Sequence, residues 1–212
     1  WFCMPLYIAN ASCNIRLSIQ RTTGLTSRLT RHFARPLRSF ASASPPKPWM
    51  SLDAQRQVLL ILQSYHRLLG KHLIEGIDSN TIANPECHED IAQAAYESGI
   101  CILSHGAEPD PLFNYANKAG QVLFETCWEE LCGMPSRYSA EPDERPERAQ
   151  LLAEVLAKGY VEHYSGIRKT LKGKRFWIHG ATVFNLHELG PDGAWHRVGQ
   201  AVRIVDTEDC KD

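Results

Sequence analysis

The stretch Pro111–Thr126 has the sequence PLFNYANKAGQVLFET, and it predicts a short strand that runs directly into a helix. The strand covers Leu112–Tyr115, and the helix begins at about Asn117 and ends near Glu125. Asn117 stands at the junction, where an asparagine side chain accepts hydrogen bonds from the first turn of a helix. A further short helix is predicted at Trp128–Cys132.

Upstream of this stretch the sequence predicts two helices and one more strand. The first helix is capped by Ser51 and runs to about Glu75, with Gly76 as its end. A shorter helix at Glu86–Ser98 and a strand at 100–104 follow. The breaker-rich turn GAEPDP connects that strand to the next one, so the two strands are expected to form a hairpin.

Downstream, one helix and three long strands complete the pattern. Pro146 is expected at the first position of a helix that ends at Gly159. Three β-rich segments separated by glycine-containing turns predict an antiparallel meander, namely Val161–Leu171, Phe176–Leu186 and Trp195–Val205. Alternation along the last segment places four side chains on one face, namely Val198, Gln200, Val202 and Ile204.

The order of these elements predicts an α+β fold. It has a five-stranded antiparallel sheet with helices on one face and an additional N-terminal helical extension. The order resembles that of PAS-like sensor domains. The expected boundaries are a helical extension at 51–99, a PAS-like core at 100–206 and a disordered tail at 207–212.

Four segments carry a closer resemblance, namely PLFNYANKAG with the following Glu125-Thr126, SRYSAEPDERPERAQLL, KRFWIHGATVFNL and VGQAV. They resemble the MEKHLA domain, a PAS-like module that occurs at the C-terminus of plant class III homeodomain–leucine zipper factors and as a free-standing protein in bacteria and algae. The resemblance to the free-standing form extends from about Ser51 to Val205. It implies a sensor or interaction domain. The DNA-binding role of the plant factors is not implied, because the chain has neither a heptad zipper nor a basic, Asn-bearing recognition helix.

The N-terminal part differs from the rest in composition. Residues 1–50 contain no acidic residue and seven basic ones, namely Arg16, Arg21, Arg28, Arg31, Arg35, Arg38 and Lys47. Apolar residues recur at roughly helical spacing opposite the arginines, which is typical of an organellar transit peptide. Residues 1–48 are therefore expected to be a disordered transit peptide and linker, directing the protein to the mitochondrion or the chloroplast. A mis-assigned translation start is the alternative.

The remaining sequence is acidic, with 16 of the 23 basic residues and all 24 acidic residues of the chain. An acidic body does not attract phosphate backbones, so no nucleic-acid partner is predicted. No segment approaches the length of a membrane span, so no membrane association is predicted. The seven cysteines lack the spacing of zinc ligands, so no metal site is predicted.

Four residues are candidates for contacts with a ligand: Gln200, Asn117, Trp177 and Tyr115. Gln200 is expected to face the interior, where an unpaired amide costs about 1–3 kcal/mol and therefore needs a backbone group, a water or a heterocyclic ligand as its partner. Asn117 is either a structural cap or a ligand contact. Trp177 lies on a predicted strand, where it either packs in the core or forms a wall of a ligand site.

The sequence leaves the cofactor undetermined and predicts no catalytic residue. In light-oxygen-voltage domains a cysteine within the motif Gly-Arg-Asn-Cys-Arg-Phe-Leu-Gln attacks a flavin. The corresponding stretch here is GMPSRYSA, in which Ser136 occupies the thiol position, and this argues against adduct chemistry. A haem ligand is left open among His105, His163, His179, His187 and His196. The sequence has no nucleophile elbow, phosphate loop or Rossmann fingerprint.

The predicted function is a non-catalytic, PAS-like domain that senses a ligand or binds a protein. Its signal would be carried by conformational change or by dimerisation through the N-terminal helix. The expected partners are a small molecule and a second copy of the chain. Two alternatives remain: a small enzyme that uses the same cavity, and a purely structural dimerisation module with a filled core.

Overall fold

A computed structural model describes residues 47–210 of the 212-residue chain. The α-helices are α1 (Leu52–Leu69), α2 (Ser79–Ala83), α3 (His88–Glu97), α4 (Lys118–Leu123), α5 (Trp128–Leu131) and α6 (Arg145–Lys158). The strands are β1 (Cys101–His105), β2 (Phe113–Ala116), β3 (Tyr160–Lys169), β4 (Arg175–Leu189), β5 (Trp195–Ile204) and β6 (Asp206–Asp209). The expected targeting segment at 1–48 lies outside the described residues except for its last two positions.

The strands form one antiparallel sheet in the order β2-β1-β5-β4-β3. The predicted hairpin of β1 and β2 and the predicted meander of β3, β4 and β5 are both present. Pairing of β1 with β5 joins the hairpin to the meander, so the last long strand lies in the centre of the sheet. Residues from both halves of the sequence therefore meet at β1 and β5.

The end of the chain differs from the sequence prediction. Residues 207–212 were expected to form a disordered tail. Of these, 207–209 belong to β6, which pairs with the first part of β4, from Phe176 to His179, and 211–212 lie outside the described residues. The pairing is possible because β4 has 15 residues and β5 pairs only with its second part, from Thr182 onward. The segment Asp-Thr-Glu-Asp lacks the apolar alternation that identifies a strand, so backbone pairing alone defines this one.

Helix α1 begins as predicted but ends earlier. The Ser51 side chain accepts a hydrogen bond from the Ala54 N–H at 3.2 Å, as an N-cap does. The helix ends at Leu69 because Gly70 has a left-handed conformation, with φ of 67°, and its N–H donates to the His66 carbonyl. The prediction of an end at Gly76 was wrong because an earlier glycine takes the same capping role.

The N-terminal helices α1 and α3 cover one face of the sheet. Val58, Ile61 and Leu62 of α1 are buried against Ile102, Phe184, Leu186 and Ala201 of the strands in a single apolar cluster. The Tyr65 ring meets the Phe184 ring edge-on at 5.2 Å between centroids. The apolar stripe of α1 is therefore buried against the sheet of the same chain.

The opposite face of the sheet is covered by α4, α5 and α6. Phe124, which follows α4, packs edge-on against Phe176 of β4 at 5.3 Å. Leu151 and Val155 of α6 pack on Val183 of β4. The predicted fold class is confirmed: a PAS-like antiparallel sheet carries its own helices on one face, and the N-terminal extension lies on the other.

An irregularity in β5 changes which side chains share a face. The register between β4 and β5 shifts between Leu186 and His187, so that Val198 has no partner residue in β4. Val198 consequently packs with the α1 cluster, whereas Gln200 and Val202 face α6. The prediction that Val198 shares a face with Gln200 was wrong because regular alternation does not hold across a β-bulge.

In residues 47–210, no helix combines the length and the apolar character that crossing a bilayer requires.

Candidate functional site

A cavity of about 60 Å³ lies between the sheet and α6. Its apolar wall is formed by side chains from several elements of the fold, including Leu103, Phe113, Phe124, Ile178, Val183 and Ile204. Its polar residues come from five different segments, and they are Ser104, His105, Ser139, Arg148, Tyr164, Arg168 and Gln200. A cavity of this size holds a few water molecules or a ligand of about the same number of heavy atoms.

Gln200 lies in the cavity wall and also links the sheet to α6. Its Nε2 donates to Oδ1 of Asn185 at 3.0 Å and to the carbonyl of Leu152 at 3.2 Å. Asn185 in turn donates from Nδ2 to the Val155 carbonyl at 3.0 Å. Nε2 therefore has the partners that a buried amide requires, and Oε1 accepts no hydrogen bond from the described residues.

Arg148 brings a positive charge to the cavity from α6. Its Nη2 donates to Oγ of Ser136 at 2.9 Å. Burial, together with the nearby Arg168 guanidinium, lowers the pKa of Arg148 to about 10. The cation thus lies where water solvates it poorly and where a second cation repels it.

Arg168 brings the second positive charge from β3, and its side chain is only 7% exposed. Nη1 donates to the carbonyl of Ile167 at 2.6 Å, and Nη2 donates to the Tyr164 hydroxyl at 3.1 Å. The Tyr164 ring also lies 5.3 Å from the guanidinium carbon. Among the described residues, this buried cation is therefore bound by neutral groups alone.

His105 is a neutral member of the site. Its Nδ1 lies 2.9 Å from the Gly106 carbonyl, and because a carbonyl only accepts, Nδ1 carries the proton in this contact. Burial is the main reason that the pKa of His105 falls to about 4, and the Arg148 and Arg197 cations lower it further. Near neutral pH the imidazole is therefore uncharged.

This buried imidazole predicts a specific loss of stability in acid. The pKa is about 4 in the folded protein and 6.5 without burial, so between these pH values the unfolded chain binds a proton that the folded protein does not. We expect the free energy of unfolding to fall by about 2 kcal/mol from pH 7 to pH 5 on account of His105. Denaturant unfolding at both pH values measures this change.

Two substitutions separate the contribution of His105 from those of other groups. His105→Gln should remove most of the difference between pH 7 and pH 5, and the exposed His72→Gln should retain it. A smaller residual is expected from His187, whose pKa is lowered mainly by partial burial. An unchanged pH dependence in His105→Gln would show that this imidazole is not buried as described.

Asn117 is surrounded by backbone groups, and it does not line the cavity. Its Oδ1 accepts from the N–H groups of Ile102 and Gly120 at 2.9 and 3.0 Å. Its Nδ2 lies within hydrogen-bond distance of three carbonyls, those of Ala95, Ser98 and Ile100. One side chain thus caps α4 and joins it to β1 and to the end of α3, and both of its polar atoms are occupied.

Tyr115 and Trp177 also lie outside the cavity wall. Tyr115 is fully buried in the cluster beneath α1, edge-on to Trp128 at 5.6 Å, and burial raises the pKa of its hydroxyl. Trp177 is 38% exposed on β4, where its ring stacks on His179. Of the four sequence candidates, the structure therefore places only Gln200 in the cavity.

A family model decides the relationship of the chain to known proteins. The model of the MEKHLA domain matches residues 55–208. The chain belongs to the MEKHLA domain family. The match begins within α1 and ends within β6, so the MEKHLA domain includes the N-terminal helices as well as the sheet. No curated protein matches the sequence.

Solved structures that resemble this MEKHLA domain include PAS and light-oxygen-voltage domains. The PAS domain of a protein from Colwellia psychrerythraea is 16% identical, with a TM-score of 0.47 over 56% of this chain and 94% of its own. An RNA-binding light-oxygen-voltage receptor is 19% identical, with a TM-score of 0.46 over 63% of this chain and 35% of its own. A light-oxygen-voltage domain studied with a flavin analogue is 15% identical, with a TM-score of 0.42 over 58% and 86%. At these identities the likeness concerns the fold alone.

The positions that sequence analysis considered for flavin and haem chemistry have other surroundings in the MEKHLA fold. Ser136, at the position of the light-oxygen-voltage cysteine, is fully buried and accepts a hydrogen bond from Arg148. Of the five histidines considered as haem ligands, His105 is in the cavity wall, and His163, His179, His187 and His196 lie elsewhere on β3, β4 and β5.

Sequence reasoning missed both arginines, although one of them left a signal. Arg148 precedes Leu151, Leu152 and Val155 at intervals of three, four and seven residues, which places it on the inward stripe of α6. A charged residue within an apolar stripe is expected to face the interior, and it is therefore a candidate for a functional site. Arg168 lies two residues after Gly166, on the same buried face of β3. Because glycine has no apolar side chain, the sequence does not indicate that this face is buried.

Proposed function

We propose that this protein is a sensor domain that binds a small molecule in the cavity between the sheet and α6. The observation that supports the proposal most strongly is the composition of the cavity wall. It combines apolar side chains with convergent polar groups from β1, β3, β5 and α6, which is the usual composition of a small-molecule site. A core that served only to stabilise the fold would not need two arginines and a histidine there.

We propose that binding changes the position of α6. Gln200 and Asn185 join the sheet to the backbone of α6 through the carbonyls of Leu152 and Val155. Arg148 joins the same helix to the turn at Ser136. A ligand that contacts Arg148 or Gln200 would therefore alter the bonds that hold α6 to the sheet and to the Ser136 turn.

The signal would then reach α1 through the central strands. β4 and β5 line the cavity with Val183 and Val202, and on the opposite face they contact α1 with Phe184 and Ala201. Since Tyr65 and Leu73 are buried within the chain, a relay through the sheet uses contacts that already exist. Dimerisation through α1 would have to use other residues of the helix, or Tyr65 and Leu73 would have to leave their buried positions.

We propose that the site binds without catalysis. The His105 imidazole in the cavity wall has a pKa of about 4 and donates its Nδ1 proton to a carbonyl, so it is a weak general base near neutral pH. The Tyr164 hydroxyl has a raised pKa, chiefly because of its burial. These properties suit recognition better than proton transfer.

The first test is to purify the full chain without added cofactor and to record its absorption spectrum and native mass spectrum. We expect a fixed extra mass, or a bound species released on denaturation, in a protein without turnover. The mass of the chain alone, unchanged by any added small molecule, would contradict the sensor proposal. It would favour an interaction module with a filled core.

A further inference from the structure

We propose that the ligand of this cavity is a small organic monocarboxylate, bound by the guanidinium groups of Arg148 and Arg168. The inference rests on the proposed sensor function and specifies its ligand. It follows from the positive charge of the two arginines at the cavity, which no carboxylate of the described residues compensates. Two arginines line the same space, and among residues 47–210 neither one has a carboxylate within ion-pair distance.

Three acidic side chains close in sequence to Arg148 are occupied with other groups. Glu141 pairs with Lys169 at 3.1 Å, and Glu144 pairs with Arg175 at 2.8 Å. Glu147 accepts a hydrogen bond from the Tyr164 hydroxyl at 3.1 Å. Buried cations in proteins are normally paired, because burial without a counter-charge is costly. The missing negative charge is therefore expected to come from a ligand.

Both guanidinium groups retain donors for an anion. An arginine has five N–H groups, and Arg148 uses Nη2 for Ser136 while Arg168 uses one N–H from each Nη. The planar arrangement of the remaining donors matches the two oxygens of a carboxylate. The neutral His105 adds no negative charge that would oppose an anion.

The rest of the wall favours an organic anion over an inorganic one. Leu103, Phe113 and Ile178 offer apolar surface that an alkyl group would cover, whereas phosphate and chloride have no apolar part to place there. The volume of about 60 Å³ limits the ligand to a few heavy atoms. Propionate combines one carboxylate with a short alkyl chain of suitable size.

The experiment measures the thermal unfolding midpoint of the full chain against ligand concentration, in a carboxylate-free buffer at constant ionic strength. The ligands are propionate, its neutral isostere propionamide, inorganic phosphate and chloride. We expect propionate to raise the midpoint by several degrees with saturation, since a ligand that binds only the folded state stabilises it. Propionamide, phosphate and chloride should leave the midpoint unchanged.

Matched variants locate the effect. Arg148→Gln and Arg168→Gln should each weaken propionate binding at least tenfold. Arg175→Gln, an exposed arginine of β4 outside the cavity wall, should bind as the wild type does. Both cavity variants are expected to fold, because each substitution removes one of two cations that repel each other. Should either variant unfold, Arg148→Lys provides a second variant that keeps the charge but loses the planar donors.

The other outcomes separate this inference from the sensor proposal. Equal stabilisation by propionamide, or undiminished propionate binding in both arginine variants, would overturn the carboxylate assignment and leave the sensor proposal standing. Equal stabilisation by phosphate or chloride would show a general anion site and would likewise overturn it. No response to any anion, together with a different co-purified ligand, would overturn this inference alone. No response and no co-purified mass would overturn both.

Discussion

Gly199→Ala should destabilise the protein by about 3 kcal/mol or more, the largest effect we expect from adding a single methyl group. A Cβ atom at this position would lie 2.3 Å from the carbonyl oxygen of His105 on the neighbouring strand β1. The obstacle is backbone, so no side-chain rotation relieves it. The strands β1 and β5 would have to separate where they hold His105 and Gln200 in the cavity wall.

Thermal and denaturant unfolding measure this effect, and Gly99→Ala is the matched control. Gly99 has no heavy atom within 4 Å of an added Cβ and requires no left-handed backbone. Its replacement should change stability by less than about 1 kcal/mol, in the stabilising direction if at all. Equal stability of the two variants would mean that β1 and β5 do not approach each other as described.

Asn117→Ala should cost about 4 kcal/mol, a large part of the 5–15 kcal/mol that stabilises a typical domain. The substitution leaves the N–H groups of Ile102 and Gly120 without their acceptor, and both bonds are buried. It also removes the donor that lies 2.7 Å from the Ile100 carbonyl. Each buried polar group left unpaired costs about 1–3 kcal/mol.

Two further variants test the reason for that cost. Asn80→Ala, at an exposed position in α2, should have an effect below about 1 kcal/mol. Asn117→Asp keeps an acceptor for the two N–H groups but loses the Nδ2 donor and buries a charge, so it should also be strongly destabilising. If Asn117→Ala were as stable as Asn80→Ala, the junction would not depend on this side chain.

The elements that sequence analysis predicted well are those marked by local chemistry. Asn117 caps α4 at the strand–helix junction and Gly159 ends α6, as predicted. Pro146 lies in the first turn of α6, one residue after the helix begins at Arg145. Local signals fail where two positions compete. Gly70 and Gly76 both have positive φ, and nothing in the local sequence indicates which one ends α1.

Features that depend on distant parts of the chain could not be predicted from local patterns. The β-bulge that turns Val198 toward α1 is defined by pairing between β4 and β5, and β6 is defined only by its pairing with β4. The cavity depends on even more parts of the chain, because residues of α6, β1, β3 and β5 line it together. Gln200 was identified because it interrupts an apolar strand, whereas Arg168 could be identified only after the fold was known.

Filling the cavity should abolish ligand binding if the ligand occupies the space between the sheet and α6. Val202→Phe places a larger side chain in the cavity wall, and Val198→Phe makes the same change on the same strand toward α1. We expect native mass spectra of the full-length variants with added propionate to show the bound mass for wild type and Val198→Phe and to lack it for Val202→Phe. The bound mass in folded Val202→Phe at the wild-type level would contradict the account, because the ligand would then bind elsewhere.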